Sequence, residues 1–302
     1  MFTHQFLMPT GPERIVLLGA NGFVSRELRR VFDQAGVAHI AVGSDQVNLI
    51  DASAADQLVD IVRPHDSVVF ASALTPDKGR DNATLMKNLR MGDNVCGFLS
   101  KARCGHMLYI SSDGVYHSRS HLINEESPCE TDDLYAISHI VREKLLVHAC
   151  QKAGVPLAIV RPCAIYGPGD THNSYGPNRF IRTAIKEGKI TLFGGGEECR
   201  DHIYVRDVAE IILRCLMQGS AGVLNVVSGR AWSFREVAEF VAASIGGKVI
   251  IEARPRATAV THRHFDVEAL IRAFPDFRPT PLDIGIGQTV EGMSAQLAQG
   301  ND

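Results

Sequence analysis

Five short apolar runs, at residues 14–18, 38–42, 67–71, 106–111 and 157–160, alternate along the first half of the chain with longer stretches of helical spacing. Short apolar runs suit strands buried on both faces of a parallel sheet, and recurrence every three to four residues suits helices. In the first helical stretch, 23–35, Phe23, Leu28, Val31 and Phe32 share one side, and Gly36 closes it. A second helix is predicted over 53–63, capped by Asp51 or Ser53 and stopped before Pro64. Longer helices are predicted over 82–103 and 132–153. Such alternation predicts an α/β fold with a doubly wound parallel sheet.

After Arg161 the pattern becomes irregular and rich in Gly and Pro. A helix near 206–217 and a strand at 223–227 read as returning to the sheet. A helix over 233–245 with Ser233 as its cap, a strand at 249–251 and helices after Asp266 and Leu282 predict a smaller lobe. The expected organisation is a flexible extension over 1–12, a nucleotide domain over 13–165 joined by elements near 203–227, and a mainly substrate-binding lobe over 166–302.

The 302 residues are 45% hydrophobic and 22% charged with a net charge of −3, so no broad field would draw the protein to nucleic acid or an anionic membrane. No apolar run reaches about 18 residues, which argues against a membrane span. Seven cysteines without CxxC spacing imply reduced thiols and a cytoplasmic setting. Cys96 and Cys104 read as core residues. No metal site is expected, since His172 has no second ligand at suitable spacing.

Where the first strand would turn into the first helix stand Gly19, Asn21, Gly22, Phe23 and Val24. Glycines there let the backbone approach a pyrophosphate resting on the helix N-terminus. Ser25 holds the position of a third glycine. NAD and NADP both remain open: Ser44 and Asp45 follow the second strand, and Arg26 could serve a 2′-phosphate or stay solvated. Asn48 and Leu49 are placed to meet the adenine.

A hydroxyl at a strand end, Ser112, and a Tyr one turn before a basic residue, Tyr135 before His139, are the parts needed to move a proton at a carbinol or carbonyl oxygen. With the glycine loop and the order of elements, they make the chain resemble the extended short-chain dehydrogenase/reductases, in particular the NAD-dependent nucleotide-sugar epimerase/dehydratase group. The likeness spans about residues 13–290. It implies a Rossmann-type sheet, with Ala71, Ser72, Ala73, Asn88 and Pro162 bordering the cofactor. It also implies a homodimer packed through the helices near 85–103 and 132–153.

In that family a Lys one turn after the Tyr lowers the phenol pKa and holds the nicotinamide ribose; here it is His139. Imidazole donates one hydrogen bond and, if protonated, could stabilise a tyrosinate. Three outcomes are open: an enzyme using His139, an enzyme in which another group replaces Lys, and a cofactor-binding protein with little turnover. Asp113, Arg179, Arg200 and Arg256 are the expected substrate contacts, the last two for a diphosphate. Ala164 stands where many relatives carry Asn. Gly114 replaces the Glu of the dehydratases and the Cys of the 3,5-epimerases. The expected activity is hydride transfer at C4 of a nucleotide-linked sugar, by a 4-epimerase or 4-keto reductase. A ketoreductase for a non-nucleotide carbonyl is the other enzymatic alternative.

Overall fold

The computed structural model describes residues 1–117, 122–257 and 259–298. Its elements in chain order are β1 (Thr3–His4), β2 (Ile15–Leu18), α1 (Phe23–Gln34), β3 (His39–Val42), α2 (Ala54–Ile61), β4 (Ser67–Phe70), α3 (Asn82–Lys101) and β5 (His106–Ile110). Next come α4 (Leu134–Ala153), β6 (Leu157–Pro162), β7 (Ala164–Tyr166), α5 (Pro177–Glu187), β8 (Lys189–Phe193), β9 (Cys199–Tyr204) and α6 (Val205–Met217). The chain continues with β10 (Ser220–Val226), β11 (Ala231–Ser233), α7 (Phe234–Ile245), β12 (Ile250–Arg254), α8 (Glu268–Ala273) and α9 (Leu282–Ala298).

The central sheet runs β1-β10-β6-β5-β4-β2-β3, parallel throughout except for β1. All four residues of β2 and of β4 are buried, as a strand covered by helices on both faces requires. One face packs Leu28, Val31 and Phe32 of α1 with Val208 and Ile212 of α6. The other packs Leu58 of α2, Val95 and Phe98 of α3, and Leu146 of α4. A third core, containing Phe180, Leu192, Val237 and Ile286, belongs to the smaller lobe. The strand order changes direction around β2, so the ends of β2, β4 and β5 open a crevice of the kind that takes dinucleotides.

Part of the stretch expected as a flexible extension over 1–12 is held by the sheet. Thr3 and His4 pair antiparallel with Ala221 and Ser220. His4 joins Ser220 Oγ at 2.7 Å through Nδ1 and the Ala273 carbonyl at 3.0 Å through Nε2. The physical reason is the open edge of β10, whose backbone groups and the nearby Phe274 ring are covered by β1 and Phe2. The region after Arg161 is also more regular than its glycines suggest, holding β7, β8, β9, β11 and α5. Among the described residues, no helix is long and apolar enough to cross a membrane.

Candidate active site

The glycine turn is built for a close approach. Gly19 sits at φ +100°, and a Cβ there would meet Ser72 Oγ at 2.7 Å and Ser72 Cα at 3.1 Å. Gly22 is extended and caps α1 without any side-chain hydrogen bond, leaving the first helical N–H groups available to an anion. A Cβ at Gly22 would make only ordinary contacts, so its smallness gives access and relieves no clash. Gly19, Asn21, Gly22, Ser44, Asn48, Leu49, Ala71, Ser72 and Ala73 all line one cleft. Phe23, Val24 and Pro162 line its continuation.

Two expected cofactor contacts are placed differently. Asn88 lies buried under the loop after β4, where its amide accepts from Leu74 N at 2.8 Å and donates to Leu74 O at 2.9 Å. It supports Ala71–Ala73 from behind and is not among the residues lining the cleft. Arg26 donates to the carbonyls of Asn21 and Gly169, so its guanidinium ties two loops together and is engaged away from the end of β3.

Ser112, Tyr135 and His139 share one wall of the second cleft. Ser112 Oγ accepts from Gly114 N at 3.1 Å, so its own proton remains available for a substrate oxygen. A Cβ at Gly114 would lie 3.3 Å from both Ala136 Cβ and Ser112 Oγ, so glycine lets the strand end press against α4. Asp133 caps α4 by accepting from Ala136 N at 3.0 Å, which fixes Tyr135 in the first turn. Burial pushes the Tyr135 phenol up to about 12, opposed chiefly by the charge of Arg142.

His139 is not the cation that a replaced lysine would supply. Burial, reinforced by Arg142, lowers its imidazole to about 3, so it is neutral near pH 7. Nδ1 lies 2.6 Å from the Tyr109 hydroxyl, while Nε2 is buried without a partner. Burial holds Tyr109 well above the ordinary phenol range, so the phenol keeps a proton that needs an acceptor. Nδ1 is that acceptor, which leaves the Nε2–H as an unspent donor on the cleft wall.

Beneath this wall lies a buried network. Glu143 accepts from Ser111 Oγ at 2.5 Å and takes a bidentate pair from Arg161, at 2.9 and 2.6 Å. Arg161 also donates to Tyr116 Oη, whose own proton goes to Asn225 Oδ1 at 2.6 Å. The network locks the ends of β5, β6 and β10 to α4, and so fixes Ser112 against Tyr135. Arg142, one turn beyond His139, is equally buried, and spacing from Ala136 to His139 to Leu146 would have marked it as inward-facing.

The substrate side departs furthest from expectation. Asp113 lines the cleft and is held by Arg263, which donates to its carboxylate at 3.2 Å and its carbonyl at 2.6 Å. No sequence pattern singled out Arg263. Arg200 and Arg256 do converge, but on Glu198: Arg256 Nη1 donates to it at 2.7 Å, and Arg200 bonds its other oxygen. Neither arginine lines the cleft; both are held on Glu198, and Arg256 also reaches Glu197. Arg179 is exposed and lines a separate groove with Tyr175 and Lys189. His202 lines the main cleft with both ring nitrogens buried and unpaired. No group of three His, Cys, Asp or Glu among the described residues is arranged to hold a metal.

The chain is similar along its length to a dTDP-4-dehydro-6-deoxy-D-allose reductase from a Streptomyces species, 26% identical over 91% of this chain and 94% of the relative. A reductase of the same name from Streptomyces bikiniensis is 30% identical over 53% of this chain and 50% of its own. In architecture the chain resembles Thermus thermophilus UDP-glucose 4-epimerase, solved with NAD, at TM-score 0.81, 21% identity and coverage of 93% and 99% of the two chains. It also resembles a GDP-L-fucose synthetase from Naegleria fowleri at TM-score 0.86, 18% identity and coverage of 98% and 97%. Residues 15–227 match the family described as the NAD dependent epimerase/dehydratase family, and the chain belongs to it.

Proposed function

We propose that the protein is an NAD(P)H-dependent reductase of a 4-keto nucleotide sugar. The observation that carries this reading is Tyr135, a phenol kept protonated up to about 12, on the same cleft wall as the Ser112 hydroxyl and the Nε2 donor of His139. An acid that holds its proton at neutral pH suits reduction, in which the carbonyl oxygen must be protonated. It suits less well the oxidative half of an epimerisation, which needs the same phenol as a base. The two reductases among the relatives support the same direction.

The residues fit a dinucleotide: Gly19 leaves room that a Cβ would fill, and the Nε2–H of His139 is a buried donor awaiting an acceptor. When bound, a reduced nicotinamide supplies the hydride. Ser112 donates to the substrate carbonyl oxygen and fixes it in line. Tyr135 passes its proton to that oxygen as the carbon becomes tetrahedral, and the tyrosinate left behind recovers a proton from solvent. His139 would donate through Nε2 to a hydroxyl of the bound cofactor. Asp113, oriented by Arg263, accepts from a sugar hydroxyl.

A cytoplasmic homodimer through α3 and α4 belongs to the same reading, supported by seven unpaired cysteines and by the exposed side chains of Met86 and Val147 on those helices. NADH or NADPH consumption with a dTDP-4-dehydro-6-deoxyhexose tests the activity. Tyr135→Phe is expected to lose more than about 100-fold in rate. Equal rates for variant and wild type would end the assignment.

Glu198 supports a second reading, a ketoreductase whose substrate carries no diphosphate, because it occupies the two arginines expected to bind one. Calorimetry with dTDP separates the two. Binding that weakens in Arg200→Ala supports the sugar nucleotide, whereas no binding to either protein supports the smaller carbonyl.

A further inference from the structure

Helix α4 carries a cation that hydride transfer as described leaves unused. Arg142 is fully buried, with its guanidinium 4.1 Å from the Phe70 ring centroid and 5.2 Å from that of Tyr109. Nη2 donates to the Ser72 carbonyl at 2.5 Å, while Nε and Nη1 have no hydrogen-bond partner. The groups facing it that could carry negative charge are Tyr109 on β5, Tyr135 on its own helix and Cys96 on α3, and no carboxylate is among them. Helix α3 makes room for its stem: a Cβ at Gly92 would lie 2.9 Å from Arg142 Cγ.

A guanidinium does not give up its charge under ordinary conditions, so the fold holds a permanent, incompletely paired cation on the helix that carries the proton donor. The two aromatic faces offset part of the desolvation this costs. A side chain kept for packing alone would need no charge at such a place. We propose that Arg142 is a positioning residue that supplies the fixed positive charge for Tyr135, from one turn beyond His139, while His139 keeps only the hydrogen-bonding part of the role.

The spacing of three residues puts 139 and 142 on one side of α4. The Tyr135 ring packs edge-on against His139 at 4.7 Å, and His139 bonds the Tyr109 hydroxyl, whose ring lies under the Arg142 guanidinium. Of the charges acting on the Tyr135 phenol, Arg142 favours its ionised form, and Asp113, Asp133 and Asp77 oppose it. His139, neutral, contributes no charge of its own. The division explains how a family site can lose its lysine and keep an addressable phenol. The inference rests on the reading of Tyr135 as proton donor, and it is tested without turnover.

Fluorine NMR of the cofactor-free protein with 3,5-difluorotyrosine at position 135 reads the ionisation of that phenol directly, since fluorination brings it into an accessible pH range. Arg142→Met is expected to raise the midpoint by about one pH unit or more, the size of shift a nearby opposite charge produces. Arg142→Lys, which keeps the charge, is expected to raise it by less than half as much. Arg142→Gln, which keeps a donor for the Ser72 carbonyl, serves should Arg142→Met fail to fold. An unmoved midpoint in the neutral variants, or a rise in Arg142→Lys equal to theirs, overturns the proposal. Absence of turnover by the wild type on any 4-keto nucleotide sugar would instead overturn the reductase reading, and leaves the titration result standing.

Discussion

Single charges decide what this cleft can recognise. Glu198 accepts from both Arg200 and Arg256, so the pair expected to hold a diphosphate is held in check by one carboxylate. Glu198→Gln removes that competitor, and affinity for dTDP by calorimetry is expected to rise roughly tenfold, equivalent to ~1.4 kcal/mol; an unchanged or weaker affinity would show that the carboxylate orients the arginines instead. At the other end, the polar side chains lining the cleft beyond β3 are Asn21, Ser44 and Asn48, with no cation among the lining residues, and Arg26 is engaged elsewhere. A 2′-phosphate would therefore enter without a counter-charge. NADH is expected to bind at least about tenfold more tightly than NADPH in a fluorescence titration, a preference that equal affinities would contradict. Ser112 and Tyr135 stand at fixed places relative to a strand end and a helix start, so order along the chain was enough to expect both on the cleft they line. Glu198, Arg263 and Arg142 were not legible, because their meaning depends on partners 58, 150 and 70 positions away.

Elements carry the rest of the specificity. The sharp bend between β2 and α1 requires Gly19, at φ +100° and against the backbone of Ser72. Gly19→Ala is expected to cost about 1–3 kcal/mol of stability through its backbone conformation. It is also expected to abolish dinucleotide binding, since the Cβ pushes β4's loop outward; urea unfolding and a cofactor titration check the two parts. By contrast Gly22→Ala meets only ordinary contacts, so it is expected to fold normally and to bind cofactor less well. The strands β2 to β6 were readable because each carries three or four consecutive apolar residues, the pattern of a parallel sheet covered by helices. β7, β9 and β11 were not: they form a small mixed sheet that includes partly exposed Arg200 and Trp232 and the buried carboxylate of Asp201, and no simple alternation marks it. α5 was missed although it carries a usable signal, Pro177 at its first position after Gly176, followed by Phe180, Ile181 and Ala184 on one face.

At the scale of the whole molecule, acid stability is set by histidines that fold only when neutral. His139 and His202 are lowered by burial to about 3 and about 4, and His106 is lowered for the same reason. Each binds its proton near 6.5 when the chain is unfolded. Between those values the unfolded chain holds more protons than the native one, so stability is full above about pH 6.5 and falls as the pH drops. The limiting slope is roughly 1.4 kcal/mol per pH unit for each histidine. Buried carboxyls act in the opposite sense: burial raises Asp201 and Asp207, so the native state takes up their protons first as the pH falls. Their effect runs upward from the ordinary carboxyl range and offsets part of the loss caused by the histidines. Both His139 and His202 line the cleft, one at its cofactor end and one beside the substrate lobe, so their protonation would open the molecule along the line where its two parts meet. In His139→Gln with His202→Gln, the slope of unfolding free energy against pH, measured in urea between about pH 5 and 6.5, is therefore expected to fall to roughly a third of the wild type's, the remainder coming from His106. A variant as steep as the wild type would place the acid-sensitive groups elsewhere in the fold, and would remove the reason to regard the cleft histidines as neutral.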